Sequence, residues 1–454
     1  MQAIKNDFPH YFLEIEREVD PLSFEISAVL KKLSMQKAYP IVLFNRTRNL
    51  LGKSSLFPLI YNCFATRELC ALALGLNPQD SGLPLSLEFS KREMKSIEPS
   101  LLDKKEAPVK QVIKFEDGLN LKDLPIARYH EMDLGPFLTM VNIMKDADAG
   151  FYDVSFCKNM VLDSKTLTVS LHQTLRKHLL NILEVNEKKD RPTPVVIVLG
   201  HHPAFFLGAG ALKAFGNNDY ETIGAFLEEP LRLVPSETWG EDFMVPADAE
   251  IIIEGETIPH KREIQNPFGE YAGYYQPQCL MPVMEVKAIT HKKSAIMQEV
   301  FPGYESHFNL GSIPKEGTIY NEIKKFTPGV TGVYLPHSGA GRLSCYVSIK
   351  KKREGDAKQA ALLPFLASSG QIDYVVVVDD DINIFNEQEV IWAIVTRLKI
   401  GRGVDLIKNM LRGDKVIIDA TKPLDRPFPE KNTVPDEVMD KIRLEEYIGD
   451  WNKR

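Results

Sequence analysis

Hydrophobic residues recur at helical spacing in the first part of the chain, up to about residue 115. The segment DPLSFEISAVLKKL has an aspartate and a serine near its start, as expected where a helix begins. YPIVLF has the pattern of a short buried strand, and SLFPLIYNCFATRELCALALGL predicts a largely helical segment. These patterns predict a first domain, residues 1–115, that mixes helices with a strand.

Strand patterns dominate from residue 116 to residue 308. The apolar runs there are separated by turn residues: FLTMVNIMKD, FCKNMVLD, LTVSLH, PVVIVLG, AEIIIEGE and PVMEVKAIT. A helical stretch from about Phe205 to Leu227 interrupts them. Many strands with few helices predict a barrel-like or sandwich-like middle domain.

The last part of the chain alternates strands with helices. YVVVVDDD is an apolar strand that ends in acids, NEQEVIWAIVTRLKI predicts a helix, and KVIIDAT predicts the next strand. This alternation is typical of a parallel α/β sheet and predicts a C-terminal domain over residues 309–430. Residues 431–454 form a tail that either docks on a neighbouring subunit or packs loosely. The predicted fold class is therefore mixed α/β.

Composition limits the classes of function. The chain has 454 residues and a formal net charge of −7, which disfavours nucleic-acid binding through a basic face. No apolar run reaches the roughly 20 residues that a membrane-spanning helix needs. The N-terminus MQAIKNDFPH lacks the apolar segment of a signal peptide. The five cysteines include no CxxC pair, which predicts reduced thiols and a cytoplasmic location.

One carboxylate stands out chemically: Glu270, within the segment NPFGEYAGYY. A proline and two glycines predict a shaped turn, and phenylalanine and tyrosines supply apolar surface around the acid. We expect burial in this setting to raise the pKa of Glu270 and to suit it to proton transfer. The alternative is a structural role in which the carboxylate binds local amides.

Other motifs are less specific. LLGKSS lacks the first glycine of a P-loop, because that position is Thr47. The three aspartates at 379–381 are candidate metal ligands at a strand end, but helix capping and solvation explain them as well. His201 and His202 have no acid or thiol nearby at ligand spacing, which favours a structural role.

The turn around Glu270 resembles the signature of the UbiD family of decarboxylases, which use prenylated FMN. The resemblance extends over nearly the whole chain, in the family's order: RELCALALGL, LGPFLTMVNIMKD, VPADAEIIIEGE, SIKKKREGDAKQAAL and YVVVVDDDINIFN. It implies α/β N- and C-terminal domains around a flavin-reductase-like split β-barrel at residues 116–308. It also implies assembly into dimers or hexamers through the C-terminal domain.

The activity implied by the resemblance is non-oxidative decarboxylation, or reversible carboxylation, of an aromatic, heteroaromatic or α,β-unsaturated acid. Loss of CO2 from an sp2 carbon leaves an unstabilised carbanion, for which side chains have no electron sink. In the family the prenylated flavin forms a covalent adduct with the substrate, which then releases CO2. An acid at the Glu270 position usually protonates the product carbon. We therefore expect Glu270 to act as general acid, or as base in carboxylation.

Two expected catalytic positions depart from the family pattern. Members typically pair an arginine with a glutamate five residues before the catalytic acid, whereas this chain has Lys158 and Gln265 there. Lysine cannot reproduce the bidentate arginine fork. Gln265 also lacks the charge that would hold Lys158 in place, so we expect Lys158 to face an anionic group of the substrate.

The resemblance also implies a metal site. In the family a divalent metal (Mn or Mg) and a potassium ion bind the flavin phosphate, with asparagine, histidine and glutamate as ligands. The first and last of these positions correspond to Asp153 and Asp219, with Glu221 as a substitute for Asp219. Their oxygen donors suit a hard cation. The histidine position falls on Arg176, or on His178 if two residues are inserted.

Further residues are expected at the flavin itself. Besides Asp153 and His178, the resemblance places Ser155 and Lys158 in the cofactor site. Lys415 in DKVIIDAT falls where the family has a lysine that contacts the phosphate. These five residues form the expected cofactor-binding set.

The implied partners are a small carboxylic acid as substrate and a flavin prenyltransferase as supplier of the cofactor. We expect a homo-oligomer, and neither nucleic acid nor a membrane as partner. Because Lys158 and Gln265 depart from the family, two alternatives stay open. The chain is either one subunit of a hetero-oligomeric carboxylase, such as the phenylphosphate carboxylase type with other UbiD-type subunits, or a non-catalytic binding or assembly protein with this fold.

Overall fold

The computed structural model of the protein describes residues 2–171, 177–368 and 370–448. Helices and several separate sheets share this part of the chain, so the architecture is mixed α/β as the sequence predicts. Within the described ranges, no helix is both long enough and apolar enough to cross a membrane.

The first elements along the chain alternate helices with short strands. They are α1 (Gln2–Asp7), β1 (Phe12–Ile15), α2 (Glu25–Met35), β2 (Ile41–Phe44), β3 (Leu59–Tyr61), α3 (Arg67–Ala73), α4 (Leu83–Glu93) and β4 (Ser100–Leu101). The prediction of a helix over SLFPLIYNCFATRELCALALGL is wrong in its first part. Residues Leu59–Tyr61 are buried and form β3, which pairs with β2. Large apolar side chains buried on both faces favour a strand there. Helix α3 begins only after Thr66, whose hydroxyl caps it.

The middle of the chain consists mainly of strands. Its elements are β5 (Val112–Phe115), β6 (Phe137–Leu138), β7 (Val141–Lys145), β8 (Tyr152–Phe156), β9 (Asn159–Met160), β10 (Thr166–Thr168), α5 (Lys177–Glu187), β11 (Pro194–Val198), α6 (Pro203–Ala209), α7 (Asp219–Leu227), β12 (Arg232–Ser236), β13 (Gly240–Pro246), β14 (Ile251–Gln265), β15 (Phe268–Gly269), β16 (Tyr275–Gln276), β17 (Cys279–His291) and β18 (Met297–Gln298). The main sheet has the antiparallel order β10-β17-β14-β11-β7-β8, and β5 also pairs with β17. Among the described strands, this pairing does not close into a barrel.

The single helical stretch expected from about Phe205 to Leu227 is two helices instead. A loop at 210–218 separates α6 from α7. Gly216 has a left-handed φ of 95°, and the side chain of Asn218 accepts from the Tyr220 amide to start α7. These two turn-forming residues break an otherwise helical apolar pattern.

The last part of the chain forms a second α/β layer. Its elements are α8 (Glu305–Phe326), β19 (Val330–Tyr334), β20 (Ser344–Ile349), α9 (Asp356–Ala367), β21 (Tyr374–Asp379), α10 (Glu387–Arg397), α11 (Ile400–Gly403), β22 (Val404–Met410), β23 (Gly413–Asp419), α12 (Asp436–Met439) and α13 (Leu444–Ile448). The sheet order is β19-β20-β21-β23-β22, in which β20, β21 and β23 run parallel. The predicted parallel sheet is confirmed for these three strands, and the two edge strands are antiparallel.

Helix α8 joins two hydrophobic cores. Leu310 and Ile313 belong to the large core of the N-terminal and middle parts, whereas Ile319 and Ile323 belong to the core of the C-terminal sheet. All four side chains are buried. The position of α8 therefore depends on packing at both of its ends.

A buried ion pair anchors the centre of α8. The Glu316 side chain has no solvent exposure, and the Arg67 guanidinium of α3 lies 2.8 Å from its carboxylate. Ser86 Oγ of α4 donates to the same carboxylate at 2.6 Å, and the Leu335 amide after β19 donates at 3.1 Å. A Cβ at Gly317 would overlap the Ser86 carbonyl, so α8 and α4 approach closely. Donors from three parts of the chain thus meet at one acid.

Replacing Glu316 by alanine is expected to lower the free energy of unfolding by about 3–5 kcal/mol, because the Arg67 cation would stay buried without its partner. Urea denaturation measures this change. Glu322→Ala is the matched control: Glu322 lies on the same helix in an exposed pair with Lys325, and we expect a loss of at most about 0.5 kcal/mol. Equal losses in the two variants would contradict the assigned role of Glu316.

Candidate active site

A cavity of about 720 Å³ lies where β8, the turn after β15, the 210–218 loop and α8 meet. Its size is in the range of small-molecule and cofactor sites. Acidic and basic side chains face it. They are Asp153, Lys158, His178, Lys213, Asp219, Glu270, His307, Lys315 and Arg342.

Glu270 lies in the turn between β15 and β16, which pair as a short hairpin. The Gly269 amide donates to Asp133 Oδ1 at 2.9 Å, and the Gly273 amide donates to the Glu270 carbonyl at 2.9 Å. Gly273 has a left-handed φ of 78°, and a Cβ at Gly269 would overlap the His130 ring. Both glycines are therefore needed for the shape of the turn, as the sequence predicts.

Glu270 forms an ion pair with Lys158. The Lys158 ammonium contacts Glu270 Oε1, and it also donates to Gln276 Oε1 at 3.0 Å. The ammonium lies 4.5 Å from the centre of the Phe268 ring, which gives a cation–π contact. The Tyr271 amide donates to Glu270 Oε2 at 3.1 Å. Both charged side chains are largely buried and line the cavity.

The expectation of a raised pKa at Glu270 is wrong. Burial by itself raises the pKa of this carboxyl. The nearby Lys158 ammonium and the His307 imidazole lower the pKa, and the net result is a pKa of about 2. The hydrogen bonds from Lys158 and from the Tyr271 amide act in the same direction. Glu270 is accordingly a carboxylate at neutral pH.

The expectation for Lys158 and Gln265 also needs correction. Gln265 is fully buried, where its carbonyl oxygen accepts from Thr168 Oγ at 2.6 Å and its amide donates to Asn266 at 3.4 Å. Lys158 is held by Glu270 instead of by a residue at position 265. Because Lys158 already pairs with Glu270, it does not need an anionic group of the substrate to balance its charge.

Three of the expected metal ligands line one end of the cavity. His178 Nδ1 lies 3.0 Å from Asp153 Oδ2, and Asp219 Oδ2 accepts from the Val154 amide at 2.8 Å. Burial, and then the neighbouring Asp153 charge, raise the pKa of Asp219. Within the described ranges, however, no three His, Cys, Asp or Glu side chains converge as a metal site would require. Arg176, on which strict spacing places the histidine position, lies outside the described residues.

The remaining expected site residues are divided between the cavity and other places. Ser155 lines the cavity. Glu221 lies at the start of α7, where its carboxylate accepts from Asn218 at 3.3 Å. Lys415 is fully buried in β23, and its ammonium donates to the Gly370 carbonyl at 2.8 Å and to Asp373 at 2.7 Å. The described residues that line the cavity include neither Glu221 nor Lys415.

The cavity suits a long polar ligand such as a flavin nucleotide. It extends from Asp153 in β8 to Lys158 just after the strand, a separation of five residues, or roughly 16 Å in an extended chain. Ser170 also lines it, and the buried Ser170 Oγ has no hydrogen-bond partner among the described residues. A buried hydroxyl without a partner costs free energy, so a bound ligand would stabilise it.

Sequence reasoning missed His307, Lys315 and Arg342. The first two lie on α8 with Gly311 midway between them, a spacing of four residues that places all three on one helix face. Arg342 follows the glycine at 341 in the loop before β20. The i, i+4, i+8 spacing could have predicted that His307, Gly311 and Lys315 share one helix face. No local sequence pattern links Arg342 to that face.

The other candidate sites have structural explanations. Arg397 donates to Asp379 at 2.7 Å and to Asp381 at 2.8 Å, so this acidic run binds a buried guanidinium. The ring of His201 stacks on Phe205, and burial lowers the pKa of His201 to about 3. His202 caps α6 by accepting from the Ala204 amide.

Comparison with known proteins identifies the family. Three UbiD models match in order: the 3-octaprenyl-4-hydroxybenzoate carboxy-lyase N-terminal domain at 11–84, the Rift-related domain at 100–305 and the C-terminal domain at 308–423. Together they cover most of the chain. The chain therefore belongs to the UbiD family of carboxy-lyases, and the predicted family and enzyme class are confirmed.

Individual relatives are enzymes of the same kind. The anhydromevalonate phosphate decarboxylase of Methanothermobacter thermautotrophicus is 32% identical over 67% of this chain and 74% of its own. The gallate decarboxylase of Lactiplantibacillus plantarum is 27% identical over 100% of this chain and 97% of its own. An evolved dimeric form of the UbiD-class enzyme HmfF from Pelotomaculum thermopropionicum, in complex with prFMN, is 34% identical with a TM-score of 0.89, over 98% of each chain. These similarities also confirm the fold class.

Replacing Lys158 by methionine should reverse the pKa shift of Glu270, because burial, the largest single effect, would then be opposed only by His307 and the Tyr271 amide. In the native chain the pair stabilises the fold above pH 4.5, and this stability is lost as pH falls toward 2. In Lys158→Met we expect stability to fall as pH rises from 5 to 7, because the buried acid must ionise. Urea denaturation at several pH values measures this slope. Lys158→Met/Glu270→Gln lacks the titrating carboxyl, and an equal slope in both variants would contradict the prediction.

Proposed function

We propose that the protein is a prenylated-FMN-dependent, non-oxidative decarboxylase, or a reversible carboxylase, of an aromatic, heteroaromatic or α,β-unsaturated carboxylic acid. The observation that carries this proposal is the Glu270–Lys158 pair in the wall of a cavity large enough for a cofactor and a small acid. The pair would place a carboxylate that can carry a proton beside an ammonium that can supply one, both at the cavity wall.

The cofactor would lie along β8. Ser155 and the hydroxyl of Ser170 line that wall and would bind its polar groups, with Asp153 and His178 at the far end. When bound, the prenylated flavin supplies the electron sink that amino-acid side chains lack. The phosphate contact expected of Lys415 is not proposed further, since its ammonium is bound to Gly370 and Asp373.

Glu270 would exchange the proton at the reacting carbon. Release of CO2 from a carboxylate leaves a carbon that takes up one proton, and Glu270 would deliver it. Because the resting carboxyl is ionised, that proton must come from elsewhere, and the Lys158 ammonium in contact with Oε1 is the adjacent source. Solvent would then reprotonate Lys158. In the carboxylating direction Glu270 is already in the basic form.

A divalent metal at Asp153, His178 and Asp219, together with a potassium ion, stays part of the proposal. Two carboxylates and an imidazole are suitable donors, but they must move closer together to share one ion.

We also propose the domain division at residues 115, 308 and 430, a cytoplasmic homo-oligomer, and a flavin prenyltransferase as cofactor supplier. The two alternatives are a hetero-oligomer subunit and a non-catalytic protein. The cofactor content of the chain purified alone tests them against the proposed function.

Glu270→Gln should lower kcat by at least about 100-fold, because general acid–base catalysis typically contributes 10²–10⁴-fold. CO2 release by the flavin-loaded enzyme measures the effect. Glu263→Gln is the control, since Glu263 lies exposed on β14 nearby. A Glu270→Gln variant with native kcat would overturn the proposed role.

Anaerobic purification from cells that also produce a flavin prenyltransferase tests the cofactor. We expect about one prenylated flavin and one divalent metal per chain, measured by absorbance and by elemental analysis. Asp219→Asn should lower both contents, because it removes a charge from the proposed metal end. Asp148→Asn is the matched control on the exposed loop before β8. A colourless, metal-free native chain would favour a subunit that requires partners.

A further inference from the structure

The cavity has a second charged region, on the side formed by α8. His307 and Lys315 reach it from α8, and Arg342 reaches it from the loop before β20. Leu310, Pro314 and Thr318 of the same helix face complete this wall. A concave wall that carries the charges of Lys315 and Arg342 concentrates positive potential inside the cavity.

The guanidinium of Arg342 is held in position by specific contacts. It lies where Gly311 has no side chain, since a Cβ at this glycine would overlap it. Arg342 Nη1 is 3.4 Å from the carbonyl oxygens of His307 and Ala340, and the guanidinium lies 4.7 Å from the centre of the Tyr271 ring. A planar group fixed in this way is suited to bidentate binding of an oxyanion.

The other two side chains are fixed as well. Lys315 Nζ donates to the Gly311 carbonyl at 2.6 Å. The Gly303 amide donates to His307 Nδ1 at 3.1 Å, which leaves Nε2 as the proton-bearing nitrogen of the imidazole. Arg342, Lys315 and His307 therefore offer three donors along one wall.

Arg342, Lys315 and His307 lie near Glu270, the proposed proton-transfer residue, and not at the end of the cavity where Asp153 lies. Arg342 stacks on Tyr271, the residue next to Glu270. A Cβ at Gly303 would lie 3.0 Å from the Glu270 carbonyl, so the turn that binds His307 also touches Glu270. A molecule placed for proton transfer at Glu270 therefore lies within reach of these cations.

The departing carboxylate is a poor occupant for such a group. Cations that bind a carboxylate stabilise its charge, and loss of CO2 would have to overcome that stabilisation. Interactions that are stronger in the ground state than in the transition state oppose the reaction. The anion bound by Arg342 and Lys315 is therefore a group that remains on the product.

We propose that the substrate carries a second anionic group, a carboxylate or a phosphate-like oxyanion, which Arg342, Lys315 and His307 bind while the first carboxylate is lost near Glu270. This inference rests on the proposed decarboxylase function and narrows its substrate class to dianionic acids.

Three probes that differ only at the para position test the subsite: 4-methylbenzoate, terephthalate and 4-phosphonobenzoate. Calorimetry on the flavin-loaded enzyme measures each Kd. We expect at least one of the two doubly charged probes to bind about tenfold or more tightly than 4-methylbenzoate, as one charge-assisted hydrogen bond provides. The preferred probe distinguishes a carboxylate subsite from a phosphate subsite.

Variants then assign the preference to the proposed residues. Arg342→Gln and Lys315→Gln should each bring the ratio of the Kd values toward one, and Gly311→Ala should do so by displacing Arg342 without removing its charge. Lys325→Gln and Arg353→Gln remove exposed cations of the same kind and should keep the ratio. Flavin content is the second readout for every variant.

The proposal is overturned if no doubly charged probe binds more tightly than 4-methylbenzoate. It is also overturned if Arg342→Gln or Lys315→Gln loses the flavin, because the cations would then serve the cofactor. A loaded enzyme that prefers the dianions but releases CO2 from no acid would retain the subsite and refute the decarboxylase function.

Discussion

The arrangement of the molecule depends on one buried carboxylate, that of Glu316. It accepts from Arg67, Ser86 and the Leu335 amide, which come from separate parts of the chain. A buried charge is tolerated only when its partners are in place. The fold that satisfies Glu316 is therefore also the fold that sets α8 against α4 and the C-terminal sheet, the position from which α8 forms one wall of the cavity.

Electrostatics within the cavity follow from pairing. Glu270 and Lys158 compensate each other, and at the opposite end Asp153 contacts His178. The Glu270–Lys158 pair contacts the Phe268 ring on one side and faces the cavity on the other. Such an environment maintains separated charges at rest, yet little reorganisation is needed to move one proton.

Much of this organisation could be predicted from the sequence, because it is encoded locally. Apolar runs predict the C-terminal strands, and proline and glycine predict the turn that carries Glu270. The sign of the Glu270 pKa shift could not be predicted, since it depends on Lys158, which is 112 positions away. The Arg342 contact with α8 was equally inaccessible: it requires close packing at Gly311, and Gly341 with its φ of 65° approaches Phe308 in the same way. Lys415 was misplaced because spacing alone does not reveal that Asp373 binds it.

Helix α8 has a consequence for how the molecule unfolds. Its N-terminal half is packed in one hydrophobic core and its C-terminal half in the other, and α8 runs through both as one helix although Pro314 removes one of its backbone hydrogen bonds. Fraying that begins in the C-terminal sheet would therefore propagate along α8 into the cavity wall. We expect the two cores to be coupled through α8, so that its buried amide protons away from Pro314 exchange at the rate of global opening and not of local fluctuations.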